Sequence, residues 1–224
     1  MLGGVAGLGL CATPASGAPV AAPAAVIEVA PVARERLPDG VVVRGATLER
    51  ALTFRDKRGT HYLVMSATDS TSGDGVEARR ARALYVDDWV IAGTARPRSV
   101  LPVRDMVSEC VMGAVDARFH DAATAVTDVD HDGIAEVTIG YELACRSDVS
   151  PAAYKLLMIE DGAKYILRGK TRVMPDEEVV GGAFEPDPAP ARWPAGFLEH
   201  ARQRWSQTAD DLESPPRPAA APKR

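Results

Sequence analysis

The run Asp128-Val129-Asp130-His131-Asp132-Gly133-Ile134-Ala135-Glu136 sets acids at loop positions 1, 3, 5 and 9 and a glycine at position 6. Side chains at alternate positions of a tightly curled loop point to a common centre. Glycine at the sixth position accepts a backbone conformation that a Cβ would penalise. Four carboxylates held so close repel one another, so the composition asks for a cation. The donor set is all oxygen, which disfavours zinc, and magnesium takes fewer protein ligands in a stricter octahedron. One structural calcium ion is therefore expected. Its ligands would be the carboxylates of Asp128, Asp130, Asp132 and Glu136 with the backbone carbonyl of Ile134, and His131 would point outward. The competing reading is a solvated turn rich in aspartate between two strands.

No catalytic constellation stands out with comparable clarity. Cys110 and Cys145 remain as a pair if an N-terminal segment carrying Cys11 is removed, and an even count in an exported chain suggests a disulfide. Such a bridge would enclose the acidic loop and, on chain entropy, contribute roughly 3–4 kcal/mol. Two buried free thiols are the alternative. Arg146 and Asp148, in the polar run before Pro151, are candidate ligand-binding residues. Local turn hydrogen bonds and a carboxylate partner for the arginine would explain them as well. The adjacent pairs Glu160-Asp161 and Glu177-Glu178 offer acid/base groups, but neighbouring acids on a turn more often form a solvated face. His61, His120 and His200 lack metal-ligand spacing with one another. Lys155, Lys164 and Arg168 suit either a small anionic-sugar patch or charges that guard a strand edge.

The elements that must position these groups read mainly as strands. Val41-Val42-Val43, Ala51-Leu52-Thr53-Phe54, Tyr62-Leu63-Val64-Met65 and Arg82 to Ile91 are short apolar runs separated by Gly-bearing breaks, the pattern of antiparallel strands. Val103, Met106, Val107, Cys110, Val111 and Ala114 keep helical spacing, although a strand on either side of a bend fits the same residues. Ala123 to Thr127 enters the acidic loop and Glu136 to Tyr141 leaves it with alternating character, which frames the loop between strands. Tyr154 to Ile159 and Lys164 to Leu167 form a hairpin about Asp161-Gly162. Pro194 suits a first helical position, and Phe197, Leu198, Ala201 and Trp205 share a face that would cap the sheet. The fold expected is α+β: β-rich, mostly antiparallel sheet with a C-terminal capping helix.

Residues 1–17 resemble a signal peptide: a short apolar run followed by small residues near Ala15-Ser16-Gly17, though without a basic n-region. About 12 apolar residues cannot cross a hydrocarbon core of about 30 Å, and no other stretch spans a membrane. A lipoprotein anchored through Cys11 is a second reading, weakened by Leu10 where a small residue belongs. Residues 18–37 read as an Ala/Pro-rich linker, 38–206 as a single β-rich domain beginning at the Pro38-Asp39-Gly40 turn, and 207–224 as a disordered tail. The net charge of -5 offers no basic face for nucleic acid.

The Asp-x-Asp-x-Asp-Gly-x-x-Glu run between strands resembles the calcium loop of FG-GAP and VCBS repeats. An EF-hand is excluded, because its loop is flanked by helices and ends in glutamate at position 12, where this chain has Ile139. A longer set also resembles an exported bacterial family labelled surface polysaccharide biosynthesis proteins. It comprises Trp89, Cys110, Thr127 to Asp130, Glu136, Tyr141, Cys145 to Pro151, Lys155, Lys164-Tyr165, Arg168-Gly169, Gly181-Gly182, Phe197 and Trp205. This resemblance implies an exported domain of unknown activity, periplasmic or extracellular, and an envelope polysaccharide or protein is the partner expected. The reading that follows is a binding or accessory module rather than an enzyme. A carbohydrate-active hydrolase supported by calcium, and a periplasmic inhibitor or interaction protein, are the alternatives.

Overall fold

The computed structural model describes residues 24–174 and 178–209. Two short strands come first, β1 (Ala25–Val26) and β2 (Ala30–Pro31), followed by four long ones: β3 (Thr47–Asp56), β4 (Gly59–Ser72), β5 (Arg79–Ile91) and β6 (Arg98–Cys110). After a three-residue turn the chain continues through β7 (Ala114–Asp128), β8 (Glu136–Arg146), β9 (Ala153–Glu160) and β10 (Ala163–Lys170). The short strands β11 (Arg172–Val173), β12 (Val180–Gly181) and β13 (Phe184–Asp187) then lead to one helix, α1 (Phe197–Thr208). One sheet has the order β2-β3-β4-β5-β6 and the other β1-β7-β8-β9-β10-β13, while β11 and β12 pair separately. Every pairing is antiparallel.

Period-two alternation decides what each face does. Leu63 and Met65 on β4 and Leu84 and Val86 on β5 point inward. They meet Val137 and Ile139 of β8 and Leu157 and Ile159 of β9 in a core shared by the two sheets. On the reverse face of the larger sheet Tyr154, Leu156, Met158 and Leu167 pack against Phe197, Ala201 and Trp205 of α1. The layers are thus sheet, sheet and helix. Burying each of the valine, leucine, isoleucine, methionine and phenylalanine side chains among these contributes about 1.5–3 kcal/mol. The β-rich antiparallel architecture with a C-terminal helix is as expected, with helix confined to that one α element among the described residues.

Several local expectations are resolved or corrected. Of the two readings of Val103 to Ala114, the strand on either side of a bend is the one present: Val103 to Cys110 belongs to β6 and Ala114 opens β7, with no helix between. The β6 ladder places Cys110 opposite Arg80 but Val107 opposite Arg82, so a bulge inserts an extra residue into β6. That bulge turns residues three apart to the same side and imitates a helical spacing. Val41-Val42-Val43 lies outside any strand. It runs within a strap that covers the outer face of the smaller sheet, where the Gly45 N–H donates to the Ser66 hydroxyl at 3.0 Å and Arg44 pairs with buried Asp87 at 2.8 Å. Within the stretch read as a linker, β1 pairs with Thr127 and Asp128, and β2 pairs with Leu52 and Thr53. This segment therefore crosses from one sheet to the other.

The helix starts at Phe197, three residues after Pro194, because Gly196 adopts a left-handed conformation (φ 84) just before it. At the other end Thr208 bonds the Tyr154 hydroxyl at 2.9 Å, and the Ala209 carbonyl accepts from the Arg172 N–H at 2.8 Å. Residues 207–209 are accordingly part of the packed structure. The signal-like residues 1–17, Cys11, Glu177 and residues 210–224 lie outside the described residues. Among the described residues no helix is long and apolar enough to cross a membrane.

Candidate metal centre

The acidic loop joins β7 to β8 at one end of the double sheet. Asp128 closes β7 and Glu136 opens β8. Between them the backbone curls on its own side chains: Asp128 accepts from the Gly133 N–H at 3.0 Å, Asp130 from Asp132 at 3.2 Å, and Asp132 from Ile134 at 2.7 Å. His131 and Gly133 take positive φ, 61 and 83. A Cβ at Gly133 would meet only the flexible end of the Lys57 side chain, so it is the positive φ that calls for glycine at position 6. His131 is exposed, in the outward position expected.

The hairpin turn between β3 and β4 braces the loop from the other sheet. The Lys57 N–H donates to the Gly133 carbonyl at 3.0 Å, and the Asp56 carboxylate accepts from the Ala135 N–H at 3.0 Å. Asp56 also accepts from the N–H groups of Arg58 and Gly59, the geometry of an aspartate-closed turn. The loop is thereby tied to both sheets.

Asp128, Asp130 and Glu136 each bring one carboxylate oxygen within 4.8 Å of the others; a second group with the same limit is Asp130, Asp132 and Glu160. These groups could hold a metal ion. Three of the four loop acids expected as ligands, Asp128, Asp130 and Glu136, are therefore brought together, while Asp132 groups with Asp130 and with Glu160 at the end of β9.

Glu136 is fully buried. One oxygen accepts from the Val129 N–H at 2.7 Å and the Thr127 hydroxyl at 3.2 Å; Oε1 is buried without a hydrogen-bond partner. Asp128 Oδ1 and Glu160 Oε1 are likewise buried and unpartnered. Burial and the neighbouring Glu160 charge push the Glu136 carboxyl up to about 8, against the opposing pull of the Val129 N–H. Glu160 is pushed up to about 7 by burial and by Asp130 and Asp132. Buried carboxylates facing one another must either take up a proton or share a cation. An orphaned carboxylate oxygen costs about 1–3 kcal/mol or more unless something positive reaches it.

Cys110 and Cys145 are bridged, with Cα atoms 5.5 Å apart, and the bond ties β6 of one sheet to β8 of the other. The acidic loop lies within the enclosed span. Arg146 and Asp148 lie near this bridge, away from the acidic loop in the chain. Arg146 donates to Asp116 at 2.6 Å and to the Ser150 carbonyl at 2.7 Å. Asp148 is exposed and accepts from the Ser150 N–H at 2.9 Å, and the Ser150 hydroxyl together with that N–H holds its carboxyl below the usual range. Lys155 pairs with Asp105, and Arg168 with Asp187 at 3.1 Å. Asp161 pairs with Arg58.

The histidines occupy separate environments. His120 contacts buried Glu142 at 3.1 Å, and burial and Arg204 hold His200 below its ordinary value. His61 is buried between Asp88 at 3.0 Å and Asp56 at 3.1 Å. Burial opposes the charged ring, but Asp88 and Asp56 outweigh it and raise its pKa. This triad was hidden in the sequence by wide separation, although two polar residues at inward positions of β4 and β5 were a signal that each has a partner. Comparison with protein-family models, with curated proteins and with solved structures finds no match for this chain.

Proposed function

We propose that the protein is an exported accessory module of the bacterial envelope, associated with surface polysaccharide, whose Asp128–Glu136 loop holds one structural calcium ion. The observation that carries the metal reading is Glu136: wholly buried, with Oε1 lacking any partner and half-buried Glu160, whose Oε1 is also unpartnered, beside it. Calcium suits an all-oxygen donor set of variable geometry. It would engage the carboxylates of Asp128, Asp130, Asp132 and Glu136, with the Ile134 carbonyl as the backbone donor expected at position 7. Its work is structural, because the loop hydrogen-bonds the β3–β4 turn at Gly133 and Ala135 and so joins the sheets.

The Cys110–Cys145 bridge supports export, since such bonds persist in oxidising compartments. Millimolar calcium outside the cell is also the range to which extracellular calcium modules are tuned. Association with an envelope glycan rests on the resemblance of the Cys145 to Pro151 and Lys164 to Gly169 runs to the exported family. Thermal melts of the chain in calcium and in EGTA test the metal reading: calcium raises the midpoint and EGTA reverses it. An unchanged midpoint across millimolar calcium refutes it. Retention on immobilised envelope polysaccharide, absent on an unrelated glycan, tests the association.

A further inference from the structure

The expected loop supplies its ligands from a single nine-residue run, yet the larger sheet delivers a fifth acid from elsewhere. Val137 of β8 lies opposite Ile159 of β9, so the next step of the same antiparallel ladder sets Glu136 against Glu160. Like charges directly opposite one another destabilise a sheet. Here Glu136 is fully buried and Glu160 partly so, and Oε1 of each is buried without a hydrogen-bond partner. A cross-strand pair of acids, each with a buried and unpartnered oxygen, is costly without a cation beside them.

Glu160 is also placed to reach the rest of the cluster. One of its oxygens lies within 4.8 Å of oxygens of Asp130 and Asp132, and Asp130 in turn shares a group with Asp128 and Glu136. Its position is fixed by the tight Asp161-Gly162 turn, whose residues both have positive φ, 43 and 84. Arg58 of the β3–β4 turn pairs with Asp161 and so holds this turn beside the one that braces the loop.

We propose that Glu160 is a direct ligand of the ion held by the Asp128–Glu136 loop, making the centre a clamp on β9 as well as on β7 and β8. This rests on the calcium reading above and deepens it. Coordination by Glu160 locks the β9–β10 hairpin to the loop, so that metal binding stiffens three turns at one end of the molecule together.

The test is titration of the full chain with Ca²⁺ by calorimetry, and with Tb³⁺ by luminescence in H₂O and D₂O. Glu160→Asp keeps the charge but withdraws the carboxylate, and Glu160→Gln removes the charge. Asp161→Asn removes a neighbouring charge that faces Arg58. If Glu160 is a ligand, both Glu160 variants weaken calcium binding about tenfold or more. Their terbium complexes then carry more coordinated water than wild type, and Asp161→Asn binds nearly as wild type does. Wild-type affinity and hydration in both Glu160 variants overturn this inference while leaving the loop site standing. Equal weakening by Glu160→Gln and Asp161→Asn, with Glu160→Asp unaffected, reduces Glu160 to a distant charge and also overturns it. Two ions per chain, one lost in Glu160→Gln, overturn the single shared centre. No binding by wild type overturns both this inference and the calcium reading.

Discussion

Glu136→Gln should act in opposite directions with and without calcium. In the metal-free protein Glu136 is a buried acid facing Glu160, with its carboxyl pushed up to about 8. The amide removes that repulsion. Its oxygen can keep accepting from the Val129 N–H, and its nitrogen can donate toward Glu160, which now has an unpartnered oxygen. At pH 8 in EGTA the variant is therefore at least as stable as wild type. In calcium the comparison reverses, because the variant loses a charged ligand. A site filled at about one hundred times its dissociation constant stabilises the folded state by about 2.7 kcal/mol. For a chain of this size that corresponds to a melting shift of about 5–11 °C. Circular dichroism melts of both proteins in both buffers give the four midpoints needed. Wild type should gain most of that shift from calcium and Glu136→Gln little of it, with the two curves crossing order between buffers. A variant that loses the same number of degrees in EGTA as in calcium would show Glu136 to be an ordinary packed residue, and the reasoning would fail.

Stability of the metal-free protein should fall as pH rises. The folded state raises Glu136 to about 8 and Glu160 to about 7, whereas the unfolded chain releases those protons near 4.5. Between these limits the folded form binds more protons, so unfolding free energy declines with pH. Saturating calcium should remove most of that slope, and urea titrations from pH 5 to 9 with EGTA or calcium measure it. His61 adds a slope of the same sign that calcium leaves in place: its raised pKa gives stability fully present below 6.5 and lost as pH rises through the folded value. His61→Asn should abolish that residual slope. Replacing both Cys110 and Cys145 with serine should cost roughly 3–4 kcal/mol by loop entropy, read as a lower urea midpoint. Phe197→Ala empties a fully buried position between α1 and the larger sheet and should cost about 3–5 kcal/mol in the same assay.

What the sequence made legible was local. The Asp161-Gly162 dipeptide, the apolar run Tyr62 to Met65 of β4 and the apolar face of Phe197, Ala201 and Trp205 each write their structure within a few residues, and each is present. The acidic loop is legible for the same reason, because its donors lie in one curled run. Glu160 was not, since its place beside Glu136 depends on the register of β8 against β9 across a connecting loop, and loop residues do not encode register. The His61, Asp56 and Asp88 triad was obscured similarly: its members meet only once β3, β4 and β5 are paired. Val103 to Cys110 was ambiguous because a bulge, itself a product of strand pairing, converts a two-residue alternation into a three-residue one. The pairing of residues 25–31 with both sheets was hidden by Ala/Pro-rich composition, which usually marks an unpaired linker.

The central claim, that the Asp128–Glu136 loop is a calcium site, is tested most directly by diffraction from crystals grown in calcium, with data collected to record the anomalous signal of the ion. One strong anomalous peak is expected, about 2.3–2.6 Å from oxygens of Asp128, Asp130 and Glu136. No peak at the loop in millimolar calcium, with Glu136 and Glu160 joined by a shared proton instead, would contradict it.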